Sequence, residues 1–326
     1  DQWIERINQF LPTARIGKIQ GQIVDTDDKD IVLGMLQSLC MKTYAKSTFD
    51  GFGLTVVDEC HHIPSEVFSR AMLRIVTRYT LGLSATMTRK DGLTPVLKMF
   101  LGQVVCKVNR KSDSSVLVKM VKFNKRDPAY LESILDYRGK ELHASMITKL
   151  CNTDERTQFI RKVIVNEAKS FEGQQFLVLS QNKSLLSNLA NLIVPEELTT
   201  GFYVGGMKRE DLAESENKKV ILATYGMAAE GLDISGLTTI VLATPRTDIT
   251  QAVGRILRTK HERPLVIDIV DVHDCFQSQV KKRKRFYQKN KYRIEEYDSE
   301  YYPNLSELKP RCLLDIEKIV LDSTKV

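Results

Sequence analysis

The chain has 326 residues, 42% of them apolar, with 48 basic against 41 acidic residues, a net charge of +7 and a pI near 9.0. That length and apolar share suit a folded protein of about two domains, at ~100–200 residues each, and exclude a disordered or fibrous chain. The positive excess tolerates a polyanionic partner without requiring one. No apolar run reaches the ~18 residues of a bilayer-crossing helix and nothing resembles a signal peptide, so a soluble, intracellular protein without membrane partners is expected. The six cysteines (40, 60, 106, 151, 275 and 312) contain no C-x-x-C pair and read as reduced thiols.

Taken in order, Trp3, Ile4, Ile7, Phe10 and Leu11 mark the end of a helix, and residues 14–19 a strand. A second strand covers 30–36 and runs into Gln37 and Ser38. The third is Leu54-Thr55-Val56-Val57, which empties into Asp58-Glu59-Cys60-His61-His62. Val67, Phe68, Met72 and Ile75 then recur at helical spacing, and a fourth strand over 79–83 ends in Ser84-Ala85-Thr86. Alternating strands and helices predict a parallel sheet covered on both faces, here an α/β lobe over residues 1–110. Residues 111–144 read as a connector with its own strand (116–123) and short helix (130–135).

A second α/β lobe is expected over 145–275. Its parts are a long helix (145–171), strands at 175–180, 219–224, 239–243 and 264–270, and helices at 184–193 and 249–258. Residues 276–326 read as a basic extension. It opens on a helix in which residues 281–293 hold eight cations with Phe286, Tyr287 and Tyr292 interleaved. Cations with aromatics between them suit phosphate contact with base stacking, and equally a solvated amphipathic helix.

Two stretches carry chemistry. In open α/β sheets ligands bind beyond the carboxyl ends of strands, where Asp58 and Glu59 fall. A carboxylate there holds a hydrated Mg²⁺, and its neighbour takes a proton from an attacking water. The cationic counterpart is Gln251-Ala252-Val253-Gly254-Arg255-Ile256-Leu257-Arg258. On a helix, Arg255 and Arg258 share a face with Gln251 a turn before, an arrangement able to stabilise charge on a γ-phosphate.

These residues resemble superfamily 2 helicases and translocases. Asp58-Glu59-Cys60-His61 is similar to the DExH box, Ser84-Ala85-Thr86 to the S-A-T element, and Gln251 to Arg258 to the Q-x-x-G-R-x-x-R element. The stretch from Ala223-Thr224 to Glu230-Gly231-Leu232-Asp233 is similar to the segment of the second lobe that contacts nucleic acid and nucleotide. The wording from Ser84 to Gly92 resembles the XPB-like branch found in large DNA viruses and phages, including the poxvirus transcript-release helicase.

The resemblance implies an α/β fold of two tandem RecA-like parallel-sheet lobes, the first incomplete, plus a basic C-terminal helical tail. It implies ATP and Mg²⁺, with Asp58 holding the metal through water, Glu59 as general base, and Arg255 and Arg258 stabilising charge. His61, Ser84, Thr86 and Gln251 would couple nucleotide state to nucleic acid, and Gly231, Asp233 and Gly254 would contact nucleotide. Gln37, Ser38, Ser180, Gln181, Gly205, Gly206, Lys208 and Thr224 are the implied nucleic-acid contacts. The expected track is DNA, with RNA, a transcription complex or a non-catalytic nucleic-acid-binding scaffold as alternatives. The expected source is a virus or phage and the expected state a monomer.

One element of this chemistry is missing. A phosphate-cradling G-x-x-x-x-G-K-[ST] loop does not occur in the chain, and Gly17-Lys18-Ile19 is no substitute because Ile stands where the hydroxyl belongs. The first part of lobe one is therefore expected to lie outside these residues. Alone, they are expected to bind ATP weakly and hydrolyse little.

Overall fold

The Val- and Ile-rich runs become strands because β-branched side chains favour extended backbone, and a strand buried on both faces pairs its backbone within a covered sheet. The computed structural model describes residues 2–63, 66–84, 92–108, 115–194, 197–229, 232, 234–257, 259, 261–300, 302 and 311–312. The chain divides into two units, Asp1–Asn109 and Arg110–Val326.

The first unit runs α1 (Gln2–Phe10), β1 (Ile16–Gln20), β2 (Ile23–Asp25), β3 (Ile31–Gly34), α2 (Leu36–Met41), β4 (Leu54–Val57), α3 (Glu66–Arg74), β5 (Tyr79–Gly82) and α4 (Thr94–Leu101). Among the described residues its strands form two sheets: β1 lies between antiparallel β2 and parallel β3, and β4 pairs in parallel with β5. The cores are small: Ile19, Leu39, Cys40, Phe49 and Ala71 in one, and Cys60, Ile63 and Leu97 in the other. Leu54, Val56, Tyr79 and Leu81 stay exposed on the β4–β5 pair.

The second unit is built differently. Its elements are β6 (Leu117–Phe123), α5 (Pro128–Leu131), α6 (His143–Cys151), α7 (Asp154–Ser170), β7 (Phe176–Ser180), α8 (Lys183–Leu192), β8 (Thr200–Tyr203), α9 (Arg209–Glu216), β9 (Val220–Thr224), α10 (Tyr225–Ala229), β10 (Thr239–Leu242), α11 (Thr250–Ile256), β11 (Leu265–Asp271), α12 (Asp274–Lys289), β12 (Arg293–Asp298) and β13 (Arg311–Cys312). One sheet takes every strand, in the order β13-β12-β6-β11-β10-β7-β9-β8. All its pairings are parallel except that of β12 with β13. Two apolar clusters cover its faces, one centred on Val178, Val241 and Ile267, the other on Leu177, Ile240 and Val266.

Three features depart from the linear reading. The segment read as a connector supplies β6, which sits between β11 and β12 inside the sheet. The segment read as a tail supplies α12 and β12, and Phe276, Tyr287, Tyr292 and Ile294 of that segment are buried in the core. The expected long helix is two, α6 and α7, parted at Asn152 and Thr153, where the Thr153 backbone is extended and its hydroxyl donates back to the Lys149 carbonyl at 3.0 Å. Among the described residues no helix is long and apolar enough to cross a membrane.

Candidate nucleotide and nucleic-acid site

In the first unit, β4 delivers Asp58 and Glu59 to its carboxyl end, where both side chains are exposed. Asp58 Oδ1 accepts the Glu59 backbone N–H at 2.9 Å, and Oδ2 accepts the Trp3 indole N–H at 3.2 Å. Glu59 has φ +45° and ψ +44°, the left-handed region that a residue with a Cβ rarely adopts. This turn swings the chain from β4 into a short 3₁₀ segment, Cys60–His62. The strained residue is the one whose carboxylate is expected to act as base.

His61 joins this end of β4 to the end of the neighbouring strand. Its Nδ1 lies 3.0 Å from Ser84 Oγ and 3.2 Å from Glu59 Oε2. Beneath it the backbone closes the same gap, for the Cys60 N–H donates to the Leu83 carbonyl at 2.9 Å. Cys60 is buried, and burial pushes its thiol up from the ordinary value, as suits a packing residue rather than a nucleophile. It lies against Gly82, where an added Cβ would come within 3.0 Å of Cys60 Sγ and 2.5 Å of Leu101 Cδ1.

A hydrated divalent cation fits Asp58. The side chain is exposed and each carboxylate oxygen accepts one hydrogen bond, leaving lone pairs free for metal-bound water.

In the second unit the sheet order brings distant segments into one row. Ser180 and Thr224 are register partners on β7 and β9, and the Gly205-Gly206 turn follows β8 on the other side of β9. Ser180, Gln181, Thr224, Gly205, Gly206 and Lys208 thus share the carboxyl edge of one sheet. Their availability differs. Ser180 is fully buried, its hydroxyl donating to the Asn182 carbonyl and accepting the Asn182 N–H, both at 2.9 Å, so it is spent inside its turn and does not present a hydroxyl to a phosphate. Gln181 is tied through its N–H to Thr244 Oγ1 at 2.9 Å and through its side chain to the Pro245 carbonyl. Gly205, Gly206 and Lys208 are exposed or half-exposed at the turn, and Gly206 has φ +96°. In the first unit Gln37 is exposed, while the Ser38 hydroxyl accepts the Gly21 N–H at 2.9 Å.

Of the cationic element, α11 carries Gln251 and Gly254 half-buried and Arg255 buried, 9% exposed, with Nη1 donating to the Leu232 carbonyl at 2.6 Å. An exposed basic face does not describe Arg255. Thr86, Gly231, Asp233 and Arg258 lie outside the described residues.

The linear pattern missed what holds this edge from below. The Tyr225 hydroxyl donates to the Thr244 carbonyl at 2.8 Å, and the Arg246 guanidinium lies 5.4 Å from the Tyr225 ring. Arg283 of α12 reaches the same loop, donating from Nη1 to the Arg246 carbonyl and from Nε to Asp268, both at 2.8 Å. Tyr287 donates to the same Asp268 oxygen at 2.9 Å. Only the apolar setting of Asp268 in its strand, Val266-Ile267-Asp268-Ile269, hinted that a buried acid needed a cation.

The chain resembles several known proteins. Residues 1–89 match the family model "Type III restriction enzyme, res subunit". The chain is 37% identical over 306 residues to a protein of Acanthamoeba polyphaga mimivirus named "Putative ATP-dependent RNA helicase", covering 91% of this chain and 58% of that one. It is 27% identical over 334 residues to a protein of the same description from African swine fever virus, covering 92% and 63%. The chain thus spans about three fifths of these relatives. Among solved structures, Dbp5 of S. cerevisiae bound to RNA and ADP BeF3 superposes with a TM-score of 0.59 at 12% identity, covering 99% of this chain and 77% of that one. The fold is α/β and RecA-like.

Proposed function

We propose that this chain serves an ATP-driven helicase or translocase of the XPB-like DExH branch, working as a monomer on DNA. The observation that carries the reading is the joined end of β4 and β5. There Asp58 and Glu59 stand exposed, Glu59 is held left-handed, and His61 touches both Glu59 and Ser84. Asp58 would hold Mg²⁺ through water, and the ion would supply positive charge for the nucleotide's phosphates. Glu59 takes the proton of the attacking water. His61 reports the state of Glu59 to Ser84 and Thr86, and so to the segment that follows β5. Arg258 would bring positive charge to the γ-phosphate, and Arg255, bonded to the Leu232 carbonyl, would act there only on release from that carbonyl. Gln251 would couple nucleotide state to the strand, and Gly231, Asp233 and Gly254 would contact the nucleotide. Gln37 and Ser38 of the first unit, and Gln181, Gly205, Gly206, Lys208 and Thr224 of the second, hold the strand by its backbone, which positions without reading sequence.

The test is nucleic-acid-stimulated ATP hydrolysis by the full-length protein and its Glu59→Gln variant. Loss of a general base lowers kcat by about 10²–10⁴-fold, with nucleic-acid affinity kept. Unchanged turnover overturns the assignment. Residues 1–326 alone, without a G-x-x-x-x-G-K-[ST] loop, are expected to hydrolyse little, and robust turnover by them removes that part of the proposal.

RNA is the second reading, favoured by the names of the viral relatives. DNA and RNA strands of one sequence, compared as stimulators, separate the two. Stimulation by RNA alone overturns the choice of DNA and leaves the ATPase assignment standing.

A further inference from the structure

We infer that α12 carries a second nucleic-acid contact, a cationic stripe that grips phosphates away from the sheet edge. The basic run is not one surface. Arg283 is buried, 1% exposed, and bonded to Asp268, while Lys284 pairs with Glu296 at 2.8 Å. Tyr287 and Tyr292 are buried in the core and the half-buried Phe286 packs edge-on against both, so the rings are engaged with one another. Lys291 and Arg293 lie beyond the end of α12, Arg293 beside Glu295 at 2.8 Å. On the helix, Lys281, Lys282, Arg285 and Lys289 therefore remain, exposed and without a carboxylate partner among the described residues.

Helical geometry puts these four together. At 3.6 residues per turn they fall within an arc of about 100°, and Lys281, Arg285 and Lys289 follow one another at intervals of about 6 Å along the axis. The arc lies opposite the buried face made by Phe276, Val280, Arg283 and Tyr287. Asp274, in the first turn, is the acidic residue on this side. The rotation is fixed from below: Arg283 and Tyr287 both bond Asp268, so the helix cannot roll without leaving that carboxylate buried and unpaired. Four unneutralised cations in a fixed row on a rigid helix suit a polyanion with regularly spaced charge. With the aromatics withdrawn, the grip is on phosphate alone and insensitive to sequence.

The inference rests on nucleic acid being the partner, and the experiment separates the two claims. Full-length protein binds a short duplex and a single strand over a range of salt, beside Lys281→Gln/Lys282→Gln/Arg285→Gln/Lys289→Gln. A net-charge control carries Lys162→Gln and Lys169→Gln on α7, and Lys281→Gln/Arg285→Gln is its matched pair. Removing one cation from a phosphate lowers the slope of log affinity on log salt by about 0.7–0.9, so the slope falls by about 3 in the fourfold variant and by about half that in the stripe pair. Affinity falls equally for unrelated sequences, and an unchanged melting temperature shows that the fold is intact. The control pair keeps its slope. Slopes equal to the unmodified protein, or equal reductions in stripe pair and control, overturn the inference alone. Failure of the unmodified protein to bind any nucleic acid overturns both this inference and the proposed function.

Discussion

Glu59 illustrates how a single residue can be legible in chemistry and illegible in conformation. A carboxylate after an apolar strand is visible in the sequence, but its left-handed backbone is not, because nothing local in Val57-Asp58-Glu59-Cys60 demands it. The demand comes from Cys60, whose N–H must reach the Leu83 carbonyl while its thiol packs against Gly82. Gly82 is thus a spacing residue for the carboxylates. Gly82→Ala overpacks this contact and is expected to destabilise by about 1–3 kcal/mol. Because Cys60 follows Glu59 directly, ATP turnover should fall more than stability explains. Melting temperature and kcat measured together check this, and wild-type values for both refute it.

At the scale of elements, α12 shows how burial sorts a charge run. The eight cations between 281 and 293 look equivalent in sequence, yet Arg283 alone pairs with the buried Asp268. Arg283→Met leaves that carboxylate uncompensated in an apolar sheet and is expected to cost about 3–5 kcal/mol. Denaturant unfolding measures it. The double variant Arg283→Met/Asp268→Leu should recover most of the loss, and a double as unstable as the single would show that the pair is not the cause. A like pairing joins Arg156 of α7 to Asp271 at 2.7 and 2.8 Å, with the Tyr130 hydroxyl donating to the same carboxylate at 3.0 Å. Buried charges on β11 therefore bind helices from both the early and late parts of the unit.

For the whole molecule, the two units differ in what they bury. The second closes seven parallel strands between two apolar clusters, whereas the first rests on two short sheets and small cores. A two-stranded pair with exposed apolar residues has little independent stability. Limited proteolysis of residues 1–326 is expected to leave a resistant fragment that begins between about 109 and 117 and keeps β12. Mass spectrometry of the fragments decides it. A resistant core retaining β4, or one lacking β12, would contradict this division of stability.

The sequence by itself determined the class of the strands, the carboxylate pair and the Gln251–Arg258 element, since apolar periodicity and short motifs are local properties written in consecutive residues. Extent and membership were decided elsewhere. β6 and β12 look like pieces of a connector and a tail because a strand's neighbours in a sheet need not be its neighbours in the chain. The same holds for the row of strand ends that brings Gln181, Thr224 and Gly205 together, and for the burial that withdraws Ser180 and Arg255 from solvent. Burial is a sum over segments from the whole unit. The tertiary structure therefore decided which polar groups remain available to a partner, while the sequence had already decided what those groups are.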